Sequence, residues 1–478
     1  MPFSQLPLKF NAPRLQLRLW GCLLGALTLV PSCAQRVGSD TDSPVWVPTV
    51  SREQGGLGSD VLQSMEQAPW WSAKGQVTVV NQSNAGFGAK YSGDNSLTNT
   101  RSSKQTFDTT LYLGLRLWRG AEAYLNPEID QGFGLSNTVG VAGFPSGEAY
   151  KVGAQNPYYR LPRAFLRQTF DLGGGSFHME DQANQMEKNI TANNLTLTLG
   201  KFSVVDVFDT NTYAHDPRSD FFNWTVVEAG AFDYAADSWG FTQGAALEWT
   251  QDWWTLRGGY FALSTQPNNE KIDTQFDQHE WVAEFEERHQ LGERPGKFKF
   301  LSFVNQGYMG LYADAVKLGA LGGTGVDITK VRQMNKRSGW SLNFEQEMSD
   351  DLGLFVRYSQ NDGAKEAFDF TEVNQSLSSG LLLKGSAWKR HNDSLGLAWV
   401  SNRLSADAQS YFKAGGMGIL IGDSGLNYAS EMITEVFYNL VFNETLSMAL
   451  DYQNIKNPAY NQDRGPVNIL GVRLHASF

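Results

Sequence analysis

Residues 111–134, LYLGLRLWRGAEAYLNPEIDQGFG, alternate between apolar and polar side chains on both sides of Arg119-Gly120. Leucines occupy positions 111, 113, 115 and 117, and Tyr, Gly, Arg and Trp follow them in turn. Because successive side chains of a strand point to opposite faces, this pattern predicts a β-hairpin with one apolar and one polar face. We predict that Trp118 lies opposite Glu122, with a three-residue loop at 119–121 between them.

The composition of the whole chain also favours strands. The 478 residues include 14 Trp, 17 Tyr, 29 Phe and 48 Gly, and aromatic residues are enriched in strands while glycine is common in tight turns. The net charge of −11 at pH 7 argues against nucleic acid as a partner.

The N-terminal residues have the pattern of an export signal. Three basic residues precede an apolar run at 19–30, which is too short to span a bilayer, and small residues follow it. We predict a signal peptide over 1–34 that is cleaved after Ala34. The alternative is a lipoprotein signal ending at Cys33, although Pro31 fits that motif poorly.

Cleavage after residue 34 would remove both cysteines, Cys22 and Cys33, so no disulfide is expected. No later stretch has 18 consecutive apolar residues. A membrane location would therefore require strands closed into a barrel, because lipid cannot satisfy the open edge of a sheet. We predict a periplasmic N-terminal segment over 35–74 and a barrel domain over 75–478.

The two-residue period recurs and predicts an all-β protein, a transmembrane antiparallel β-barrel of about sixteen strands. Connections mostly alternate between long and short, as extracellular loops and periplasmic turns do in outer-membrane barrels; the long connection 173–193 breaks this rule. A large soluble secreted β-protein is the alternative fold. The predicted strands lie near 75–91, 109–118, 121–128, 163–172, 194–205, 239–250, 253–264, 279–289, 296–305, 338–348, 352–361, 380–389, 394–402, 433–442, 446–454 and 467–478.

The predicted last strand ends at Phe478 after alternating apolar residues at 470, 472, 474 and 476. This resembles the terminal signal by which bacterial outer-membrane barrels are delivered to their assembly machinery. We therefore expect outer-membrane lipid and, through Phe478, the barrel-assembly machinery as partners.

Three longer blocks resemble the OprB-type carbohydrate-selective porins of Gram-negative outer membranes. They are YLNPEIDQGFGLSNTVGVAGFPSGEAYKVG (124–153), LRQTFDLGG (166–174) and TLTLGKFSVVDVFDTNTYAHDPRSDFFNW (196–224). The resemblance implies a sixteen-stranded channel in the bacterial cell outer membrane, through which neutral mono- or oligosaccharides diffuse. It also implies a passage narrowed by inward loops that carry arginine and acidic side chains.

The polar face of the opening hairpin supplies candidates for that passage, because sugars need hydrogen-bond donors, acceptors and aromatic planes. The Gly-rich segment 129–153 is the predicted inward loop, and we expect Pro127 to end the strand before it. The aromatic candidates could instead form an interfacial girdle, and the glutamates could form structural ion pairs. The candidates for the substrate pathway are Arg116, Trp118, Glu122, Tyr124, Asn126, Glu128, Asp130, Arg163 and Arg167.

The block 201–224 contains several aspartates and the pair His215-Asp216. Their spacing matches no calcium-binding loop, and an exposed Asx turn before Pro217 is a simpler reading than a catalytic pair. We predict no catalytic residue, no metal and no cofactor. The predicted function is passive diffusion of small carbohydrates; the alternatives are a general or other-solute porin, a polysaccharide export channel, and an outer-membrane enzyme.

Overall fold

The structure, a computed structural model, describes residues 69–478 apart from 324 and 370. These residues form sixteen strands, each antiparallel to its neighbours, and the first strand pairs with the last to close a barrel. The predicted fold class and strand number are therefore confirmed. The strands are β1 (Trp71–Asn84), β2 (Ser102–Trp118), β3 (Ala121–Gly132), β4 (Tyr158–Met179), β5 (Lys188–Phe202), β6 (Thr242–Gln251), β7 (Trp254–Ala262), β8 (His279–Leu291), β9 (Arg294–Gly310), β10 (Arg332–Ser349), β11 (Leu352–Asn361), β12 (Gln375–Lys384), β13 (Ser394–Arg403), β14 (Glu431–Val441), β15 (Leu446–Lys456) and β16 (Val467–Ser477).

The two faces of the opening hairpin are sorted as its alternation predicts. Leu111 and Leu125 are 43% and 42% exposed on the outer surface, whereas Asn126 and Glu128 are 0% and 1% exposed on the inner one. Large apolar side chains facing outward suit a barrel surrounded by hydrocarbon. The polar face is thus the lining of the barrel.

The predicted register of this hairpin is wrong by two residues. Arg116, not Trp118, lies opposite Glu122, and Trp118 lies opposite Ala121 across a bulge. A shift of two residues leaves side chains on their predicted faces, apart from Trp118 beyond the bulge, so the alternation could not reveal it. Pro127 does not end β3 either; it lies at a register irregularity between Asn126 and Glu128, and the strand continues to Gly132.

The unusual connection 173–193 is mostly strand. β4 and β5 continue past their neighbours as one long hairpin, with residues 180–187 as its turn. Its pairing is irregular between Asp171 and Gly173 and again between Gly173 and Ser176. The sequence pattern missed these arms because three glycines at 173–175 interrupt the alternation.

The predicted signal peptide (1–34) lies outside the described residues, as does the predicted N-terminal segment (35–74) except for 69–74. β1 already begins at Trp71, ahead of the predicted domain boundary at residue 75.

Three α-helices lie in the connections: α1 (Trp224–Val227), α2 (Tyr312–Gly322) and α3 (Ala406–Lys413). No helix in the described part of the chain is long and apolar enough to cross a membrane.

The apolar core lies inside the barrel, where two long connections fold inward. These are the β3–β4 loop (133–157) and the β5–β6 loop (203–241). Val204, Phe208 and Phe221 of the β5–β6 loop are completely buried. The barrel lumen is therefore largely filled by loops, and what they leave open decides what can pass.

Candidate functional site

The β5–β6 loop is held by carboxylates that project from the barrel wall. Glu284 on β8 accepts a hydrogen bond from the backbone N–H of Asp209 at 2.8 Å, and Glu345 on β10 accepts one from Thr212 at 2.7 Å. Glu435 on β14 accepts from the N–H groups of both Phe222 and Asn223. Hydrogen bonds to charged groups are worth about 1.5–3 kcal/mol each, so the loop is fixed at several points around the barrel.

Arg357 on β11 holds the same loop as a hydrogen-bond donor, whereas the glutamates hold it as acceptors. Its guanidinium donates to the carbonyl oxygens of Asp209, Ala214 and Val226 at 2.8–3.0 Å. Its Nε lies 3.3 Å from the Asp209 carboxylate, and the arginine is only 1% exposed. A planar group with five donors is suited to collecting several carbonyls at once.

The two inward loops leave a cavity of about 230 Å³, here called the loop cavity. Its walls come from the β3–β4 loop, the β5–β6 loop and the lumen side of β4. On the other side of the β5–β6 loop, a space of about 600 Å³ is lined by β4 to β10 near their short turns. We call this second space the exit chamber.

Arg218 of the β5–β6 loop connects the loop cavity to the wall. Its guanidinium lies 3.2 Å from Glu148 of the β3–β4 loop, and 3.6 Å from both Asp108 on β2 and Glu128 on β3. We call these four residues the Arg218 cluster. In this cluster three carboxyl groups surround one guanidinium. Burial raises the pKa of Glu148.

A second arginine pairs with an acid of the β5–β6 loop at the same cavity. Arg163 on β4 binds Asp206 through two hydrogen bonds of 2.5 and 2.7 Å. Burial would raise the pKa of Asp206, but the Arg163 guanidinium outweighs it and the pKa lies below its usual value. Asp206 is therefore a fixed anion facing a fixed cation.

Aromatic rings complete the lining of the loop cavity. The Arg160 guanidinium lies 4.6 Å from the ring centre of Trp239, and Arg163 lies 4.9 Å from that of Phe241. Trp239 is half-buried, and its indole N–H donates to the Tyr158 hydroxyl at 3.2 Å. The cavity thus offers aromatic surface beside charged donors and acceptors.

The nine predicted pathway residues do not form one site. Four of them lie on the lumen side of β3 and β4 near the loop cavity. Glu128 joins the Arg218 cluster, Asp130 pairs with Arg160 at 3.1 Å, and Arg163 lines the cavity itself. Asn126 is completely buried on the same wall.

Four others meet the turn of the β4–β5 hairpin, at the end of the barrel that carries the short turns. Arg116 and Arg167 donate to the backbone oxygens of Glu187 and Asn184. Glu122 pairs with Lys188, and the Tyr124 hydroxyl accepts from a backbone N–H of the turn. Their contacts are with the hairpin rather than with the loop cavity.

Trp118 lies on the outer surface, where it is 63% exposed. Its indole N–H donates to Gln168 at 2.8 Å, which explains why a glutamine shares the outer side of β4 with Leu166 and Phe170. The placement of Trp118 in the lumen is therefore wrong, and its position is that of an interfacial girdle residue.

Sequence reasoning missed the main contributors from the β5–β6 loop, above all Arg218, Asp206 and Trp239. The sequence of this loop does indicate burial, because a solvent-exposed connection would not carry as many Val and Phe residues as 203–241 does. The expected turn is present: Asp216 is exposed and accepts from the N–H of Arg218 at 2.9 Å. Among the residues that the structure describes, no group of acidic, histidine or cysteine side chains is arranged to hold a metal ion.

Comparison with solved structures finds the same fold in a known porin. The high-pH structure of Pseudomonas putida OprB has a TM-score of 0.66 and 16% identity, with 87% of this chain and 96% of that chain covered. The outer membrane channel DcaP of Acinetobacter baumannii has a TM-score of 0.46 and 10% identity, over 85% of this chain and 97% of that one.

Among curated proteins, no sequence matches the chain. The family model described as "Carbohydrate-selective porin, OprB family" matches residues 94–478. Fold and family are those of a channel in the bacterial outer membrane rather than of an enzyme. The chain therefore belongs to the OprB family of carbohydrate-selective porins and is a passive channel for carbohydrates.

Proposed function

We propose that the loop cavity is the selective part of the channel and that neutral mono- and disaccharides pass through it. The observation that carries this proposal is the mixture of groups around the cavity. Arg218 and Arg163 each pair with a carboxylate, and the rings of Trp239 and Phe241 line the same cavity. Sugar hydroxyls can both donate and accept, and the C–H faces of a sugar ring pack on aromatic planes.

The charge balance of the cavity favours an uncharged solute. Its ionisable lining comprises four acidic side chains, three Lys or Arg side chains and one histidine. Arg163 and Arg218 are both paired with carboxylates. An ion entering this space meets neighbouring charges of both signs, so neither a cation nor an anion is strongly held.

The volume of the cavity also suits a small solute. Pockets for drug-sized ligands measure about 300–1,000 Å³, and the loop cavity measures about 230 Å³. This space matches one small sugar ring at a time, so a disaccharide would pass lengthwise.

A liposome-swelling assay tests the selectivity. Mono- and disaccharides should enter proteoliposomes faster than amino acids of similar size, because only the sugars satisfy both the polar and the aromatic parts of the lining. Equal rates for the two solute classes would make the protein a general diffusion pore.

Planar-bilayer recordings with added sugar test the location of the site. A sugar bound in the loop cavity should block the ion current, and Arg218→Gln should raise the half-blocking concentration about tenfold or more, since a hydrogen bond to a charged group is worth about 1.5–3 kcal/mol. Arg119→Gln removes the same charge from a side chain that is 68% exposed at a periplasmic turn, and it should leave the block unchanged. A block that is equally sensitive to both variants would place sugar binding outside the loop cavity.

We also propose two partners of the barrel, lipid and the barrel-assembly machinery, and a signal peptide that directs the chain across the inner membrane. The outward-facing leucines and aromatic side chains contact outer-membrane lipid, and Phe478 is read by the barrel-assembly machinery. The N–H and the carbonyl of Phe478 bond with Gly75 of β1 at 2.9 and 2.7 Å, a position in the barrel seam that supports this role. Residues 1–34 act as the signal peptide; mass spectrometry of the mature protein would identify its first residue.

A further inference from the structure

The β4–β5 hairpin carries a structural device that passive diffusion through the loop cavity does not require. Residues 176–191, here called the hairpin tip, extend beyond the barrel wall on the periplasmic side. The tip turns back against β1, β2 and β3 at the mouth of the barrel.

Three consecutive glycines, 173–175, lie in the β4 arm at the base of the tip. Gly173 and Gly174 have φ angles of 90° and 93°, a region that residues with side chains rarely adopt. No atom lies within 4 Å of where a Cβ would be at Gly173 or Gly175. The register between β4 and β5 shifts on both sides of Gly173, so the pairing of the β4 arm is weaker here than in the barrel wall.

The tip has one apolar anchor, Met186, which is 2% exposed although it lies in a periplasmic turn. Its side chain lies over Gly114 of β2: a Cβ at residue 114 would be 3.2 Å from Met186 Cγ. Its backbone N–H donates to the Tyr124 hydroxyl at 3.2 Å. Glycine at 114 thus provides the space that the methionine fills.

Polar contacts surround this anchor. Arg116 donates to the Glu187 carbonyl at 2.7 Å, Arg167 donates to the Asn184 carbonyl at 2.8 Å, and Lys188 pairs with Glu122 at 2.7 Å. Arg116 and Arg167 meet only the backbone of the tip, and Glu122 meets the side chain of one tip residue, Lys188. These contacts hold the tip mainly through its backbone, so most of its side chains are not needed for seating it.

The seated tip forms one wall of the exit chamber. Phe177, Gln185 and Lys188 line it from the tip, while Trp253 of the β6–β7 turn and Arg288 of β8 line it from the neighbouring strands. The width of the exit therefore depends on where the tip lies.

We propose that the hairpin tip is a hinged periplasmic flap, and that seating Met186 over Gly114 narrows the exit of the channel. The inference rests on the passive-channel function but not on the loop cavity as the sugar site. Release of the tip toward the periplasm bends the β4 arm at the three glycines and widens the exit chamber.

A disulfide between the anchor and its pocket tests the flap. In the double variant Gly114→Cys/Met186→Cys, a Cβ at residue 114 would lie 3.2 Å from the position of Met186 Cγ, which is close enough for a disulfide; its formation is checked by mass spectrometry. In planar bilayers the unmodified channel should show a lower and an upper conductance level. The oxidised double variant should lose the upper level, and a thiol reductant should restore it; the reduced double variant, which has the same sequence, is the matched control.

A second variant opens the flap without altering the barrel wall. Met186→Asp places a carboxylate in the anchor pocket, and it should raise the share of time spent at the upper level. Identical current traces for the oxidised, reduced and Met186→Asp proteins would show that the tip is a fixed wall and would overturn the proposal. Sugar block can be measured in the same recordings, so failure of the flap is distinguishable from failure of the loop cavity as the sugar site.

Discussion

The β5–β6 loop and the hairpin tip both narrow the lumen, but they are attached to the barrel in different ways. The loop is gripped by charged side chains from several strands, including Glu284, Glu345, Glu435 and Arg357. The tip depends on one buried side chain and a few polar contacts from β1 to β4, beyond three consecutive glycines.

This difference in attachment suits the two regions to different tasks: the β5–β6 loop to selecting the solute, and the hairpin tip to controlling the exit of the channel. A site that discriminates between solutes must hold its donors and acceptors in fixed positions, and buried charge-assisted hydrogen bonds provide this. A segment that moves must be held by contacts weak enough to break. The molecule places the first kind of attachment around the loop cavity and the second kind at the periplasmic mouth.

The largest effect is expected where the strong attachment is removed. Arg357→Met deletes three hydrogen bonds and removes the cation paired with the buried Asp209 carboxylate, and breaking a buried ion pair costs about 3–5 kcal/mol. The β5–β6 loop should leave the lumen, so single-channel conductance should rise and proteases should cleave within 203–241. Arg403→Met, which removes an exposed arginine, is the control; a closed, protease-resistant loop in Arg357→Met would show that the wall contacts are not what holds it.

A smaller effect is expected from pH at Glu372, which accepts from the backbone N–H groups of residues 419, 420 and 421. Burial raises the pKa of Glu372 to about 7, despite these hydrogen bonds. The folded arrangement therefore favours the protonated form, and its stability should fall as pH rises from about 4.5, the pKa of an unperturbed glutamate, to about 7.

The measurement is protease cleavage within 404–430 across this pH range, compared with Glu372→Gln. The variant carries no titratable group at this position, so the ratio of cleavage rates, native over variant, should increase with pH. A constant ratio would remove Glu372 as the cause.

The smallest effect is expected at the edge of the hairpin tip. Lys74 on β1 pairs with Asp181 of the tip at 2.8 Å, and both side chains are about a third exposed. Exposed pairs contribute about 0.2–1 kcal/mol, so Lys74→Ala should increase the ratio of upper to lower conductance level by a few-fold at most. An effect as large as that of Met186→Asp would mean that the ion pair, not the methionine, anchors the tip.

The barrel could be predicted from the sequence because its wall follows one local rule. Alternation of apolar and polar residues fixes which face each side chain takes, and hairpins such as β2–β3 and β14–β15 connect neighbouring segments. The same rule has limits: it leaves the register open to shifts of two residues, and the predicted partner of Glu122 is therefore wrong.

The candidate site could be predicted only in part, since its contacts join distant parts of the chain. Glu128 and Arg163 could be found because they lie on regular strands. The Arg218 cluster depends on the course of an irregular loop, and the bond from Phe222 to Glu435 spans 213 residues. No local pattern encodes such a contact, although the apolar content of 203–241 indicates that the segment is buried.

The wall carboxylates have a consequence for engineering. A loop transplanted from this porin into another barrel would arrive without the acceptors that Glu284, Glu345 and Glu435 provide. Chimeras designed to exchange permeability should therefore carry the loop and these strand positions as one transferable unit.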